Sequence, residues 1–220
     1  MLIKKLLAIC NVLTILAMFL VVAIYFPTFS MNFYQSEYSK YNIPERIGVS
    51  EDQLMGVTKR LTDYMRGYAD DLVITAEVNG VIREFFDDRD KAHMADVKRL
   101  FDFARVAFVT SLCVAIFTWL MLREDRMLLF RVSQLTLLCI FGIFAALAGV
   151  IALNFDSAFI TFHLIFFDND LWVLDPAKSL LINIVPQEFF VDIAIRVGLI
   201  FGGLMIAYAL LLSGFKWKCR

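Results

Sequence analysis

Four uncharged apolar runs punctuate the chain, at residues 6–26, 106–122, 132–155 and 197–215, and no other charge-free stretch reaches their length. Each is as long as the roughly 17–25 residues that an α-helix needs to cross a bilayer. Backbone amides cannot be left unpaired in hydrocarbon, so these runs are predicted to be helices. The pattern divides the chain into a first transmembrane helix at 1–26, a polar-apolar segment at 27–103, a second and third span with a short link at 104–155, another mixed segment at 156–192, and a fourth span with its tail at 193–220. The predicted fold class is mainly α: a polytopic membrane protein with four transmembrane helices and a small α+β extracellular cap.

Within the first mixed segment, Tyr34, Tyr38 and Tyr41 read as an interfacial aromatic cluster at headgroup level. Pro44 marks a turn. Ser50 followed by Glu51 and Asp52 reads as a helix start. Leu54, Val57, Leu61, Tyr64 and Tyr68 then recur at helical spacing, with Gly67 near the helix end. Asn79-Gly80 sits inside a stretch of strand character and favours a tight hairpin turn. A second helix is predicted to begin near Asp90, with Met94, Val97, Leu100 and Phe101 on its apolar stripe, and to run towards the second span.

The second mixed segment is more apolar. Residues 159–167 are too few to cross a membrane, and a run of that size reads as interfacial or re-entrant. Asp168-Asn169-Asp170-Leu171-Trp172 and Asp175-Pro176 follow. Residues 179–190, broken by Pro186, read in the same way.

Composition supports lipid as the solvent. Hydrophobic residues make up 60% of the 220, mean hydropathy is +0.71 and only 20% of residues are charged. Soluble domains hold roughly 45–50% apolar residues, and so small a chain lacks the interior to bury the excess. This excludes a disordered chain, a nucleic-acid binder and an ordinary soluble enzyme. Cys10, Cys113 and Cys139 lie inside apolar runs and Cys219 near the C-terminus, whereas a disulfide framework would occupy the polar loops. They read as small buried or lipid-facing side chains.

Charge sets the orientation. Lys4, Lys5, Arg123, Arg126, Arg131, Lys216, Lys218 and Arg220 flank the spans on one side, against only Glu124 and Asp125. The remaining 13 basic and 20 acidic residues leave the other side net negative. The positive-inside rule therefore predicts both termini in the cytoplasm and the two mixed segments outside. The first run is too long for a signal-peptide core and lacks a small-x-small cleavage site, so it reads as a retained signal anchor. Lys216-Trp217-Lys218-Cys219-Arg220 reads as an orientation anchor.

Candidate chemistry falls on the outer segments. The only histidines are His93 and His163, one in each segment. Imidazole can act as base and acid near neutral pH. Read blandly, each is a hydrogen-bonded interfacial residue. Against that, His163 sits in an almost wholly apolar run, where an ionisable group is costly unless paired or used. His93 lies three residues from both Asp90 and Asp96, so a carboxylate can orient its ring from either side. The chain carries no HExxH or CxxC spacing, GxSxG or glycine-rich phosphate loop. Asp87, Asp88 and Asp90 read as a solvated start to a helix. Asp192 and Arg196, at i and i+4, read either as an ion pair or as leaving Arg196 to hold a lipid phosphate or polarise a carbonyl; Asp102 and Arg105 read mainly as structural. Phe85-Phe86, Phe166-Phe167, Trp172 and Phe189-Phe190 read singly as membrane anchors and together as the lining of an acyl or glyceride pocket.

Two strings carry a resemblance. Asp90-Lys91-Ala92-His93-Met94-Ala95-Asp96-Val97-Lys98 is similar to an acid-x-x-His-Met-x-Asp-Val-Lys string, and Phe162-His163 through Phe166-Phe167, Trp172 and Asp175-Pro176 is similar to a Phe-His…Phe-Phe…Trp…Asp-Pro string. With four spans and Pro186-x-x-Phe189-Phe190, the chain resembles the bacterial lipoprotein intramolecular transacylase family. The resemblance implies transfer of the sn-2 acyl chain of a diacylglyceryl-cysteine lipoprotein to the α-amino group of that same cysteine, giving the lyso form. It maps two catalytic histidines onto His93 and His163, without saying which is base and which acid. Arg196, Asp96, Trp172, Phe166, Phe167 and Tyr64 are the candidates for substrate binding or oxyanion stabilisation. The expected partners are diacylated membrane lipoproteins and the bilayer, with no nucleic acid, no cofactor and no metal; oligomeric state is not legible. The competing readings are a lipoprotein or lipid deacylase and a non-catalytic outer-face lipoprotein-binding protein.

Overall fold

The computed structural model describes residues 1–218, with side chains through Ser213. The tail read as an orientation anchor has its side chains outside the described residues. Nine helices and two strands are found among the described residues: α1 (Leu2–Thr28), α2 (Met31–Lys40), α3 (Ile43–Ile47), α4 (Glu51–Arg66), β1 (Thr75–Val78), β2 (Val81–Glu84), α5 (Asp88–Leu122), α6 (Arg126–Leu153), α7 (Phe155–Phe166), α8 (Leu180–Ile184) and α9 (Gln187–Lys218). Three of the apolar runs lie within α1, α5 and α9; the remaining run, 132–155, is carried by α6 as far as Leu153, where Asn154 caps the helix and Phe155 opens α7. All four long helices are long and apolar enough to cross a membrane. The chain is a multi-pass membrane protein. It divides into two compact units: Met1–Tyr25, Ala104–Phe155 and Ile195–Arg220 form the first, Phe26–Phe103 and Asp156–Ala194 the second.

The first unit is built from the apolar lengths of the four long helices. Val12, Leu16 and Ala23 of α1 pack with Leu137 of α6 and with Phe201 and Met205 of α9. One buried polar contact joins α1 to α5: the Asn11 amide donates to the Ala115 carbonyl at 2.8 Å and to Thr118 Oγ1 at 2.9 Å. In hydrocarbon such an amide finds no water, so its partners must come from the facing helix. Along the spans the surface is largely apolar, with Leu138, Val150, Leu199 and Leu210 all exposed. Lipid covers such a surface at no cost, whereas water would not.

The second unit has a soluble-type core. Ser50 caps α4, its Oγ accepting from Gln53 N–H at 3.4 Å, and Glu51 and Asp52 place negative charge at the positive helix end. Leu54, Val57, Leu61 and Met65 face inward. Gly67 ends the helix in the left-handed region at φ 81°, which carries Tyr68 off the apolar stripe to 78% exposure. Pro44 stands at the start of α3 rather than in a turn, its ring suited to a first helical turn. Four aromatics expected at the lipid surface are interior instead: Tyr34, Tyr38, Phe85 and Phe86 are buried in this core. The Tyr38 hydroxyl is satisfied by Thr58 Oγ1 at 2.7 Å. Phe189 joins them, packed on Phe33 and Tyr34 at ring separations of 5.2 Å.

The strands pair antiparallel, Val78 opposite Val81, around Asn79 and Gly80 at φ 52° and 80°. Positive φ at both central residues gives a tight turn whose twist matches the strands. The hairpin tip docks on the end of α3, where Asn79 N–H donates to the Gly48 carbonyl at 2.8 Å. Gly48 itself has φ 67°, and a Cβ there would stand 1.9 Å from Asn79 Oδ1.

Gly48→Ala is therefore expected to cost about 1–3 kcal/mol through backbone strain, with the clash in addition. Gly80→Ala, at φ 80° but with open space around its Cβ, carries only the strain. Thermal unfolding in detergent should rank wild type above Gly80→Ala and Gly80→Ala above Gly48→Ala. Equal melting temperatures for the two variants would contradict the close packing of hairpin on helix end.

Candidate active site

The site grows from the first turn of α5. Asp90 N–H donates to Asp87 Oδ1 at 2.7 Å and Asp87 N–H donates back to Asp90 Oδ2 at 3.3 Å, a reciprocal arrangement that satisfies amides of the helix start. Asp90 is buried, contrary to its reading as solvated, and its second oxygen accepts from Ser179 Oγ at 2.6 Å. Ser179 caps α8, so this bond ties the starts of two helices together. Burial pushes the Asp90 carboxyl above its ordinary value.

One turn further, in the polar part of α5 and outside its apolar run, His93 points inward at 9% exposure. His163, on α7, is 7% exposed and faces it, with ring centroids 6.2 Å apart. Neither flanking carboxylate serves His93. Asp90 is committed to Ser179 and the helix start, and Asp96 accepts from the Asn169 side-chain amide at 2.8 Å and pairs with Arg99 at 2.9 Å. His93 Nδ1 is buried with no hydrogen-bond partner among the described residues. Such an orphan is rare in folded proteins and points to a strained, catalytic or water-filled position.

His163 is placed differently. Its Nδ1 lies 2.7 Å from the Phe159 carbonyl oxygen. A carbonyl can only accept, so Nδ1 carries the proton and the neutral ring presents the lone pair of Nε2. One ring is thus oriented as a proton acceptor, and the other keeps an uncommitted nitrogen.

Aromatic side chains enclose the pair. Phe167 packs at 5.4 Å from His93 and 5.6 Å from His163. Phe159 lies 4.3 Å from His163, and Trp172 stacks on the same ring at 4.7 Å and 27°. Trp172 and Phe167 are therefore neighbours of the imidazoles, and Phe167 is buried. Phe166 turns outward with Phe162, their rings 4.7 Å apart. Tyr64 stands apart from the pair, packed on the core with Lys98 Nζ 4.5 Å over its ring. Arg196 belongs to the other unit. Asp192 is held by Lys40 and by the Tyr41 hydroxyl, the latter at 2.6 Å. Two residues that sequence reading passed over, Asn169 and Ser179, hold the site's scaffold. No residue pattern flags either, because a single amide or hydroxyl in a loop has no spacing to read. Among the described residues, no three His, Cys, Asp or Glu side chains gather as a metal site would require.

Burial disfavours charge on both rings. Desolvation, reinforced by His163 and partly offset by Asp96, pushes His93 down to about 4. Burial also lowers His163, against the raising effect of its bond to the Phe159 carbonyl. Between pH 6.5 and about 4 the unfolded chain binds a proton at position 93 that the folded chain refuses, so stability declines as pH falls through that window. Nuclear magnetic resonance titration of histidine-labelled protein in micelles should show His93 neutral until well below pH 6. Protonation of His93 at pH 6.5 or above would contradict the enclosure.

The chain matches the family described as lipoprotein intramolecular transacylase Lit over residues 6–190. It is 30% identical over 172 residues to an uncharacterised protein of Aquifex aeolicus (strain VF5), covering 74% of each chain. The in meso structure of the membrane-integral transacylase Lit of Bacillus cereus superposes with a TM-score of 0.80 at 22% identity, over 98% of both chains. A variant of that protein with one histidine replaced by alanine gives 0.78 at 22% identity, over 99% of this chain and 96% of that one. These structures share the fold of four long helices with a small two-stranded sheet. With the match spanning most of its length, the chain belongs to the lipoprotein intramolecular transacylase family.

Proposed function

We propose that the chain moves the sn-2 acyl chain of a diacylglyceryl-cysteine lipoprotein to the α-amino group of that same cysteine, with His163 and His93 handling the protons. The observation that carries this reading is the buried pair of imidazoles, 6.2 Å apart and tilted by 34°, one with a fixed basic nitrogen and one with an unpartnered nitrogen. Family membership supplies the class of reaction.

Acyl transfer from ester to amine within one molecule needs no enzyme nucleophile. The amine nitrogen attacks the ester carbonyl carbon and gives up a proton, for which His163 Nε2 is the acceptor. The tetrahedral intermediate then collapses: the carbon–oxygen bond to the glyceryl group breaks, and the departing oxygen takes the proton back from the His163 imidazolium. The amide forms, a glyceryl hydroxyl is left, and no proton is gained or lost overall. His93, held neutral, offers Nδ1 to the amine or to the glyceryl oxygen and fixes its position. Amine and ester are already tethered, so holding them together in a water-poor site supplies much of the acceleration. The outward rings of Phe162 and Phe166 offer an apolar surface for an acyl chain. The same reading places both termini in the cytoplasm and the histidines on the extracellular side, because the basic residues flanking the spans favour that orientation.

Purified protein incubated with a diacylated lipopeptide should yield a product of unchanged mass whose fragments carry one acyl chain on nitrogen. His93→Ala and His163→Ala should each slow this by about 10²–10⁴-fold, the usual contribution of a positioned acid or base. Loss of one acyl mass would make the protein a deacylase. Undiminished transfer in both variants would remove the two histidines from the mechanism.

A further inference from the structure

The stacking of Trp172 on His163 has a supporting structure of its own. Asn169 makes three hydrogen bonds that together fix the loop after α7. Its side-chain amide donates to Asp96 Oδ2 at 2.8 Å, its Oδ1 accepts from Leu171 N–H at 3.0 Å, and its backbone carbonyl accepts from the Trp172 indole N–H at 3.0 Å. Asp96 is one turn from His93 on α5. A continuous chain of contacts thus runs from α5 through Asp96, Asn169 and Trp172 to the face of His163. The indole's only donor is spent on Asn169, which leaves its π face for the imidazole.

We propose that Trp172 is a positioning residue that acts through His163: its indole face seats the imidazole and stabilises the imidazolium formed during proton transfer, and the Asp96–Asn169 bond latches that indole in place. Resting on the proposed role of His163 in acyl transfer, this adds a partner that carries no proton itself. The face of an indole attracts a cation electrostatically, most strongly where water is excluded, and a ring separation of 4.7 Å is within reach of that attraction. Phe159 and Phe167 also pack on His163, and the outward Phe162 meets its edge; none of these rings can form an ion pair with it. The titratable ring against it is His93 on α5. Of the nearby charged groups, Asp96 is paired with Arg99 on the same helix, and Asp170 of the loop is paired with Arg89. Stabilisation of charge on His163 by the indole face is therefore not duplicated by a carboxylate.

The test is a titration of His163 in substrate-free protein, labelled at its two histidines and assigned with His93→Gln. Trp172→Leu should weaken proton binding at His163 about tenfold. In the lipopeptide assay kcat should fall by a similar factor while KM stays within about twofold, because the lost contact matters only once charge develops. Should Trp172→Leu misfold, tryptophans bearing increasing fluorine at position 172 keep the shape and drain the π face. Proton affinity should then fall step by step. Asn169→Asp sets two carboxylates against each other and should lower kcat, and the pair Asp96→Asn with Asn169→Asp, which reverses the hydrogen bond, should restore it. An unchanged His163 titration in Trp172→Leu, or no trend along the fluorine series, overturns the proposal. The titration needs no turnover, so it reads the clamp even if the wild-type protein fails to transfer an acyl chain, which would instead defeat the proposed reaction.

Discussion

Two imidazoles 6.2 Å apart among aromatic rings cannot comfortably carry charge together. Each would need water or a carboxylate to offset the desolvation, and the carboxylates that flank His93 on its helix, Asp90 and Asp96, are committed to Ser179 and Asn169. Neutrality of the pair is thus the constraint on which the local architecture depends. The reciprocal bonds at the start of α5 and the Ser179 contact fix the helix that carries His93. The Phe159 carbonyl fixes the proton on one nitrogen of His163. Phe167 packs against both rings. A charged group bound beside either imidazole would upset the balance, whereas a neutral amine and an ester would not.

The two units meet the same demand, burial of apolar surface, with different solvents. In the first, lipid covers much of the helix surface, and a limited set of side chains, among them Val12, Leu16, Leu122, Leu137, Phe201 and Met205, is enclosed by protein. In the second, more than twenty buried side chains make a conventional core beneath α2, α4 and the hairpin. Under the proposed transfer this packing matters, because a proton relay tolerates little error in the distance between its members.

The sequence made some of this plain and hid the rest for identifiable reasons. The four spans were legible because a charge-free run of such length has few alternatives in any fold. Ser50, Gly67 and Asn79-Gly80 were legible because caps and tight turns depend on local backbone chemistry. The aromatics were not: Tyr34, Tyr38, Phe85 and Phe86 look the same in a row of letters whether they face lipid headgroups or a protein core. The histidines stood out through scarcity, and their resemblance to a family string joined them across seventy residues. What remained hidden was which groups would occupy the carboxylates. Asp90 and Asp96 lie at the right spacing to flank His93, yet Ser179 and Asn169, distant in sequence, claim them first. Pairing of that kind is set by tertiary contacts and leaves no periodic trace.

The proposed transfer stands or falls on whether the imidazole pair receives the reacting amine. Its most direct test is a crystal structure of the protein with a lipopeptide whose sn-2 ester is replaced by an unreactive ether. The α-amino nitrogen is expected within about 3 Å of His163 Nε2, the range of a hydrogen bond that can pass a proton, with His93 Nδ1 bonded to that amine or to the glyceryl oxygen. An amine seated away from both rings, with the histidines unchanged and unvisited, would contradict it.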